Sequence, residues 1–550
     1  MADPPEEQPE EQPEAHESSA VLDAAHVGDI HGAFGTIREH DLDSRRSWTA
    51  RLLTLLAIMG PGLIVMVGDN DAGGVATYSQ AGQDFGLSLL WTLPLLIPVL
   101  VVNQEMVVRL GAVTGVGHAR LINERFGKFW GAFSVGDLFI LNFLTIATEF
   151  IGVSLALEYF GISQYVSVPV AAVTLVAMTA SGSFRRWERF MFVFIVVNFL
   201  VVPLAFLSHP SPGQFLHGLA TPGVQGGFNS TSVLLVIAIV GTTVAPWQLF
   251  FQQSNIVDKR ITPRWINYER ADTVLGSLIT VFAAALVMAV VASAFHGTPL
   301  AGHFTNAGGV ASGLQHQVGR AAGAIFAIIL LNASIIGAAS VTLATSYAFG
   351  DAFGAKHSLH RSWRDAKFFY GAFTAMVVLA AGIVIIPGAP LGLITTGVQA
   401  LAGVLLPSAT VFLLLLCNDK EVLGPWVNRT WLNILASVIV SVLLMMSLVL
   451  MVTTLFSSID VTTLAEVLGG VLVVVYLVAG IVLLRSRSRR APVPVVPMER
   501  RATWRMPPLS LLERPAWSRG RLIGMYMLRI YLVVAVLLLL VKAIELGLHH

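Results

Sequence analysis

The chain has 550 residues, 55% of them hydrophobic and 12% charged, with a formal net charge of +1 and a mean hydropathy of +0.73. Soluble domains carry about 25% charged residues, so the composition excludes an ordinary soluble enzyme, and the charge balance offers nothing to nucleic acid. The single cysteine, Cys417, excludes an internal disulfide and a thiolate metal cluster.

Residues 1–45 begin MADPPEEQPEEQPEAHESS and hold no Lys or Arg before Arg38. Such an acidic, Pro-rich stretch cannot bury a core and is expected to be a disordered cytoplasmic tail. It lacks the basic start and apolar run of a signal peptide. Residues 46–484 then read as a chain of apolar blocks, most near the ~20 residues that cross a bilayer. Twelve spans are predicted: Leu52–Asp84, Phe85–Val108, Gly131–Leu157, Tyr165–Ala180, Phe190–Leu207, Ser230–Val257, Thr273–Phe295, Ala321–Phe349, Phe368–Ile386, Leu391–Leu416, Trp431–Phe456 and Ala465–Leu484. Residues 485–521 are basic and Pro-rich and are expected on the anionic inner leaflet. Residues 522–550 are apolar again, a thirteenth span or an interfacial helix.

The loops agree with an N-terminus inside, because alternate loops are basic. Arg109, Arg120, Arg125 and Lys128 lie after the second span, Arg185, Arg186 and Arg189 after the fourth, and Lys259, Arg260, Arg264 and Arg270 after the sixth. The loops between are nearly bare: residues 208–229 contain no Asp, Glu, Lys or Arg. The fold class is therefore an all-α polytopic membrane protein. Compact loops suggest a bacterial inner membrane.

Two spans are interrupted alike. The first holds Gly60-Pro61-Gly62 and then Gly68-Asp69-Asn70-Asp71-Ala72-Gly73-Gly74; the sixth holds Gly241-Thr242-Thr243-Val244-Ala245-Pro246. These spans start two five-span halves, about 52–207 and 230–416, with further spans over 431–484. Paired Gly/Pro breaks point to a transporter site, since unwound carbonyls can bind ions. A carboxylate at mid-span costs at least ~2.5 kcal/mol to insert into lipid and so calls for a cavity, a partner or a cation.

Gly60-Pro61-Gly62, Asp71-Ala72-Gly73-Gly74-Val75-Ala76-Thr77, Glu149-Phe150-Ile151-Gly152, Ala245-Pro246-Trp247, Gln399 and Leu406-Pro407 together resemble the NRAMP divalent-metal transporter family. The resemblance implies a leucine-transporter-like fold, two inverted five-helix repeats plus extra C-terminal helices. The family aspartate is kept as Asp71. The family asparagine falls at Gly74, its sixth-span methionine at Ala245 and the neighbouring histidine at Trp247. Soft thioether ligands favour late transition metals, whereas carboxylate, carbonyl and water suit magnesium. The pattern resembles the NRAMP-related magnesium transporter branch.

On that reading Asp71 is the charged ligand, and Gly74, Thr242 and Ala245 supply carbonyls or space. Gln399 reaches the ion or its water shell, and Asp69 lines the entrance or holds waters. A family proton-route aspartate falls at Ile146, which leaves Glu149, Trp247 and Gln252 as pathway or residual proton-route candidates. Coupling to protons is expected to be weak or absent, because Ile and Trp cannot relay a proton. The expected function is thus uptake of magnesium, with manganese second, by a non-enzyme that needs no resident cofactor and no obligate protein partner. The alternatives are a proton-coupled manganese or iron importer, and a transport-inactive sensor or scaffold on the same fold.

Overall fold

The computed structural model describes residues 24–41, 43–386, 391–456, 459–487, 497–512, 524–531, 533–534 and 537. After a single 3-10 turn at Ala24–His26 comes a small antiparallel hairpin, β1 (Ile30–Gly32) and β2 (Gly35–Ile37), in which Ile30 pairs with Ile37. The helices α1 (Trp48–Ile58), α2 (Pro61–Gly68) and α3 (Ala72–Phe85) divide the expected first span into three pieces. They are followed by α4 (Thr92–Thr114), the short α5 (His118–Phe126), α6 (Lys128–Glu158) and α7 (Gln164–Thr179). The fifth span bends between α8 (Phe184–Asn198) and α9 (Val201–Ser208), and α10 (Pro212–Ala220) covers the loop beyond.

The second half begins with α11 (Ser230–Thr243), whose start is fixed by a reciprocal cap between Asn229 and Ser232, and α12 (Pro246–Asp258). Then come α13 (Ile266–Phe295), the short α14 (Ala307–Gln317), α15 (Arg320–Phe353), α16 (Lys367–Val384) and α17 (Leu391–Cys417). The one-turn α18 (Lys420–Leu423) leads into α19 (Thr430–Leu455), α20 (Val461–Arg487) and α21 (Met498–Thr503). Among the described residues, ten spans are long and apolar enough to cross a bilayer, and α1 with α2, bent by 55°, makes an eleventh. The expected fourth span is α7, at 16 residues only ~24 Å long against a hydrocarbon core of about 30 Å. Periphery and centre differ as a bilayer requires: α20 turns Val471, Val474 and Val478 outward, whereas Glu149, Asp272 and Gln248 are fully buried. Of the expected thirteenth span, most lies outside the described residues; Tyr531 donates from its hydroxyl to the Val404 carbonyl at 2.9 Å.

One sequence expectation needs correction: within the stretch expected to be a disordered tail, residues 30–37 form the hairpin and pack against the protein. Ile30, Ala33 and Ile37 are buried, the Ala33 N–H donates to Glu188 Oε2 at 2.5 Å, and Arg189 and Arg260 donate to the carbonyls of Ala33 and Ala25. The hairpin is held by side chains far along the chain, which is why a local composition scan misses it. Of the basic segment after α20, residues 497–512 are described, and they pack on the protein. Arg501 stacks over the Trp426 ring at 4.3 Å, the Trp426 indole N–H donates to the Arg501 carbonyl at 2.9 Å, and Met506 is fully buried.

The junction of α1 and α2 is held by side chains from two other spans. At Met59–Gly60 the last carbonyls of α1 and the first N–H groups of α2 lose their helical partners. The Lys259 ammonium donates to the carbonyls of Ile58 and Met59 at 2.7 and 2.9 Å. Asp272 Oδ2 accepts from the N–H groups of Gly60, Gly62 and Leu63 at 3.0, 2.8 and 3.1 Å. Lys259 is itself paired with Glu188 at 2.5 Å. Gly60 sits at φ +153°, and a Cβ there would fall on the Glu188 carboxylate. Gly60→Ala is therefore expected to cost about 1–3 kcal/mol and lower the melting temperature of the detergent-solubilised protein. An unchanged melting temperature counts against this account of the junction.

Candidate ion site

The break between α2 and α3 places three acidic side chains in the protein interior. Asp69 closes α2, and Asp71, in extended backbone, caps α3 by accepting from the Gly74 N–H at 2.7 Å. Glu149, from the middle of α6, accepts the Ala72 N–H at 3.1 Å, so the first turn of α3 is capped from both its own chain and a neighbour. Both carboxylate oxygens of Asp69 and Oε1 of Glu149 have no hydrogen-bond partner. Helix α15 reaches this point through Gly337, where a Cβ would lie 2.7 Å from the Asp71 Cβ and 2.5 Å from Glu149 Oε2. Buried carboxylates without counter-charges are unfavourable by several kcal/mol each, so the cluster is built to receive cations or protons.

The sixth span supplies the facing side. It is broken at Val244 and Ala245, between α11 and α12. Thr242, at the end of α11, is buried with its hydroxyl oxygen unpartnered. Its Oγ1 lies 3.1 Å from the position a Cβ on Gly74 would take, so the two breaks meet. Gln399 of α17 lies against Gly73: a Cβ there would overlap the Gln399 amide, whose nitrogen is unpartnered. The structure thus brings Asp69, Asp71, Gly74, Thr242, Gln399 and Glu149 together. Ala245 is buried at the start of α12. Trp247 is buried and stands 3.3 Å from where a Gly68 Cβ would be, one residue from Asp69. Gln252 does not join this group; its amide nitrogen donates to Thr273 Oγ1 of α13 at 2.9 Å.

The expected extra room at Gly74 is absent. A Cβ at that position would stand 2.7 Å from the Asp69 carbonyl oxygen, because the unwound backbone has moved into the space a side chain would occupy. Glycine there serves close backbone approach. The sequence reading also passed over Gln248, which accepts from Gln104 at 2.9 Å and donates to the Thr243 carbonyl at 3.2 Å. Tyr78 and Thr243 share a hydrogen bond of 2.8 Å across the same break, and Asn70 donates to the Thr280 carbonyl at 3.0 Å. Polar residues inside otherwise apolar spans, Asn103-Gln104-Glu105 and Gln248, were the available signal.

A small cavity lined by Ala72, Thr148, Gly152, Phe304, Asn306 and Thr395 adjoins the site, with Ala72 next to Asp71 and Thr148 next to Glu149 in the chain. The Lys259–Glu188 pair at the α1–α2 junction is 0% exposed on both side chains.

Two broken spans meeting at buried, unpaired oxygens are the arrangement of an α-helical membrane transporter. A family profile described as Natural resistance-associated macrophage protein-like matches residues 62–453, and the chain belongs to this family of membrane metal transporters. It is similar to the Divalent metal cation transporter MntH of Xylella fastidiosa (strain Temecula1), 27% identical over 451 residues that cover 79% of this chain and 91% of the relative. The protein of the same name from Latilactobacillus sakei subsp. sakei (strain 23K) is 26% identical over 436 residues, 73% of this chain and 90% of the relative. Among solved structures, the Eremococcus coleocola manganese transporter in complex with an aromatic bis-isothiourea substituted compound aligns with a TM-score of 0.58 at 19% identity, covering 79% of this chain and 96% of that one. MhsT in complex with L-phenylalanine aligns with a TM-score of 0.51 at 13% identity, covering 74% and 100%. These likenesses establish the leucine-transporter-like fold with its inverted halves and additional C-terminal helices.

Gly73→Ala probes the site without touching a carboxylate. The added methyl meets the flexible end of Gln399, so folding survives and the amide is displaced. Uptake should fall by roughly tenfold, the equivalent of about 1.4 kcal/mol, with the melting temperature nearly unchanged. Uptake at the unmodified rate reduces the Gly73–Gln399 contact to packing.

Proposed function

We propose that this chain carries divalent cations into the cell across a bacterial inner membrane, taking magnesium ahead of manganese and drawing on the ion's own gradient. The N-terminus and the basic loops are cytoplasmic in this reading, as the asymmetry of Lys and Arg supports. The observation that carries the metal assignment is the donor set: Asp71, Asp69, Glu149, Thr242 and Gln399 offer oxygen, and Ala245 brings no thioether to the second break. Magnesium holds several waters and leans on one or two carboxylates, a habit that such a set serves. Ile146 and Trp247, both buried, interrupt a proton route. An inside-negative potential favours entry of a dication by ~4.6 kcal/mol per 100 mV, twice the single-charge value, and this suffices without a proton.

A second reading is a proton-coupled manganese importer. Glu149 beside Asp71 favours it, since two adjoining carboxylates can exchange a proton for a metal, as do relatives named for divalent metals and manganese.

Proteoliposomes loaded with a magnesium dye and a pH dye separate the two. Magnesium influx without acidification, abolished in Asp71→Asn, is the expected result; acidification that tracks metal entry selects the second reading. Ala245→Met should admit manganese and weaken magnesium transport by roughly tenfold, about 1.4 kcal/mol of altered preference. Manganese already preferred by the unmodified protein overturns the magnesium assignment. Ala245 is the position for this exchange, since an asparagine at Gly74 meets the Asp69 carbonyl.

A further inference from the structure

Away from the central site, the start of α6 and the helical residues 524–531 enclose an open groove of about 370 Å³, within the roughly 300–1,000 Å³ usual for small-ligand clefts. Lys128 and Trp130 line it from α6, Tyr526 and Arg529 from the other helix. Both walls are braced by neighbours. Phe126 and Trp130 pack on the Phe412 ring of α17, at centroid distances of 5.6 and 5.9 Å. The Arg529 guanidinium lies over the Phe129 ring at 4.5 Å. Leu528 is buried, and Tyr531 is tied to the Val404 carbonyl.

The groove is positive and uncompensated. No Asp or Glu lines it. Glu124, four residues before Lys128, is paired with Arg120, and among the described residues neither Lys128 nor Arg529 has an ion-pair partner. Both cations are exposed, so they are free to meet an anion. Lys128 ends the basic loop that begins at Arg109, which puts the groove at the cytoplasmic face in the reading given above. Its rim is apolar: Phe129 and Ile530 are 49% and 59% exposed, and Ile530 shares a helix face with Tyr526. A free phosphate leaves those side chains uncovered. A phospholipid covers them with its acyl chains while its phosphate meets the two cations, and Trp and Tyr are at home at headgroup depth. Basic pockets between spans on the cytoplasmic side take anionic headgroups.

We propose that Lys128 and Arg529 hold the phosphate of one anionic phospholipid of the inner leaflet, with its chains against Phe129 and Ile530. The bound lipid links residues 524–531 to the start of α6. The inference is independent of which ion the central site carries.

Native mass spectrometry of the full chain in detergent, titrated with phosphatidylglycerol and separately with phosphatidylcholine, tests the site. Phosphatidylglycerol should bind the more tightly. Its first binding step should weaken roughly thirtyfold in the double variant Lys128→Gln/Arg529→Gln, the equivalent of about 2 kcal/mol. Lys128→Gln alone keeps the Arg529–Phe129 stack and serves should the double variant not fold; a loss of roughly fivefold is expected. Lys356→Gln/Arg364→Gln removes two exposed cations from another cytoplasmic loop and should leave binding unchanged. Equal affinity for the two lipids, undiminished binding in both groove variants, or an equal loss in the control pair overturns the site. Displacement of the lipid by inorganic phosphate at equal concentration also overturns it, since the groove then takes a free anion.

Discussion

A helix interrupted inside a bilayer exposes carbonyls and N–H groups that lipid cannot satisfy, and this chain interrupts one span twice. Every feature of the site follows from how those groups are met. At the first interruption an ammonium meets two carbonyls and a carboxylate meets three N–H groups. At the second they are met only in part: Asp71 and Glu149 take the N–H groups of α3, and oxygens of Asp69 and Thr242 are left over. The satisfied break can act as a mechanical joint; the unsatisfied one can act as a receptor for ions.

The joint draws four spans into one unit. Lys259 ends α12, Asp272 sits on α13, Glu188 on α8, and the groups they hold belong to α1 and α2. Removing one partner from a buried ion pair typically costs 3–5 kcal/mol, which is of the order of a domain's whole stability margin. The pair therefore makes the α1–α2 junction a rigid part of the fold.

The architecture and the centre of the site were legible because they depend on local chemistry. Gly60-Pro61-Gly62 and Asp71-Ala72-Gly73-Gly74 contain residue types that end helices, and the structure breaks where they stand. Apolar blocks marked the spans, though some ends shifted by about two turns, as at Phe85 against Thr92 for the start of α4. What escaped depends on contacts distant in sequence. Lys259 reads as one more solvated loop cation, yet its partner Glu188 lies on another span and the pair is fully buried. The hairpin at Ile30–Ile37 has too few residues to register as structure; Glu188, Arg189 and Arg260 hold it. At Gly74 the missing side chain suggested space, and the fold filled that space with main chain.

The hairpin's attachment has a practical corollary. The Ala33 N–H bonds to the same Glu188 that neutralises Lys259, so a segment that resembles a dispensable leader is wired into the junction of α1 and α2. Anyone shortening this protein to its first apolar helix, or splicing a fluorescent partner just ahead of Trp48, alters the charge environment of a buried ion pair as well as the length of a tail.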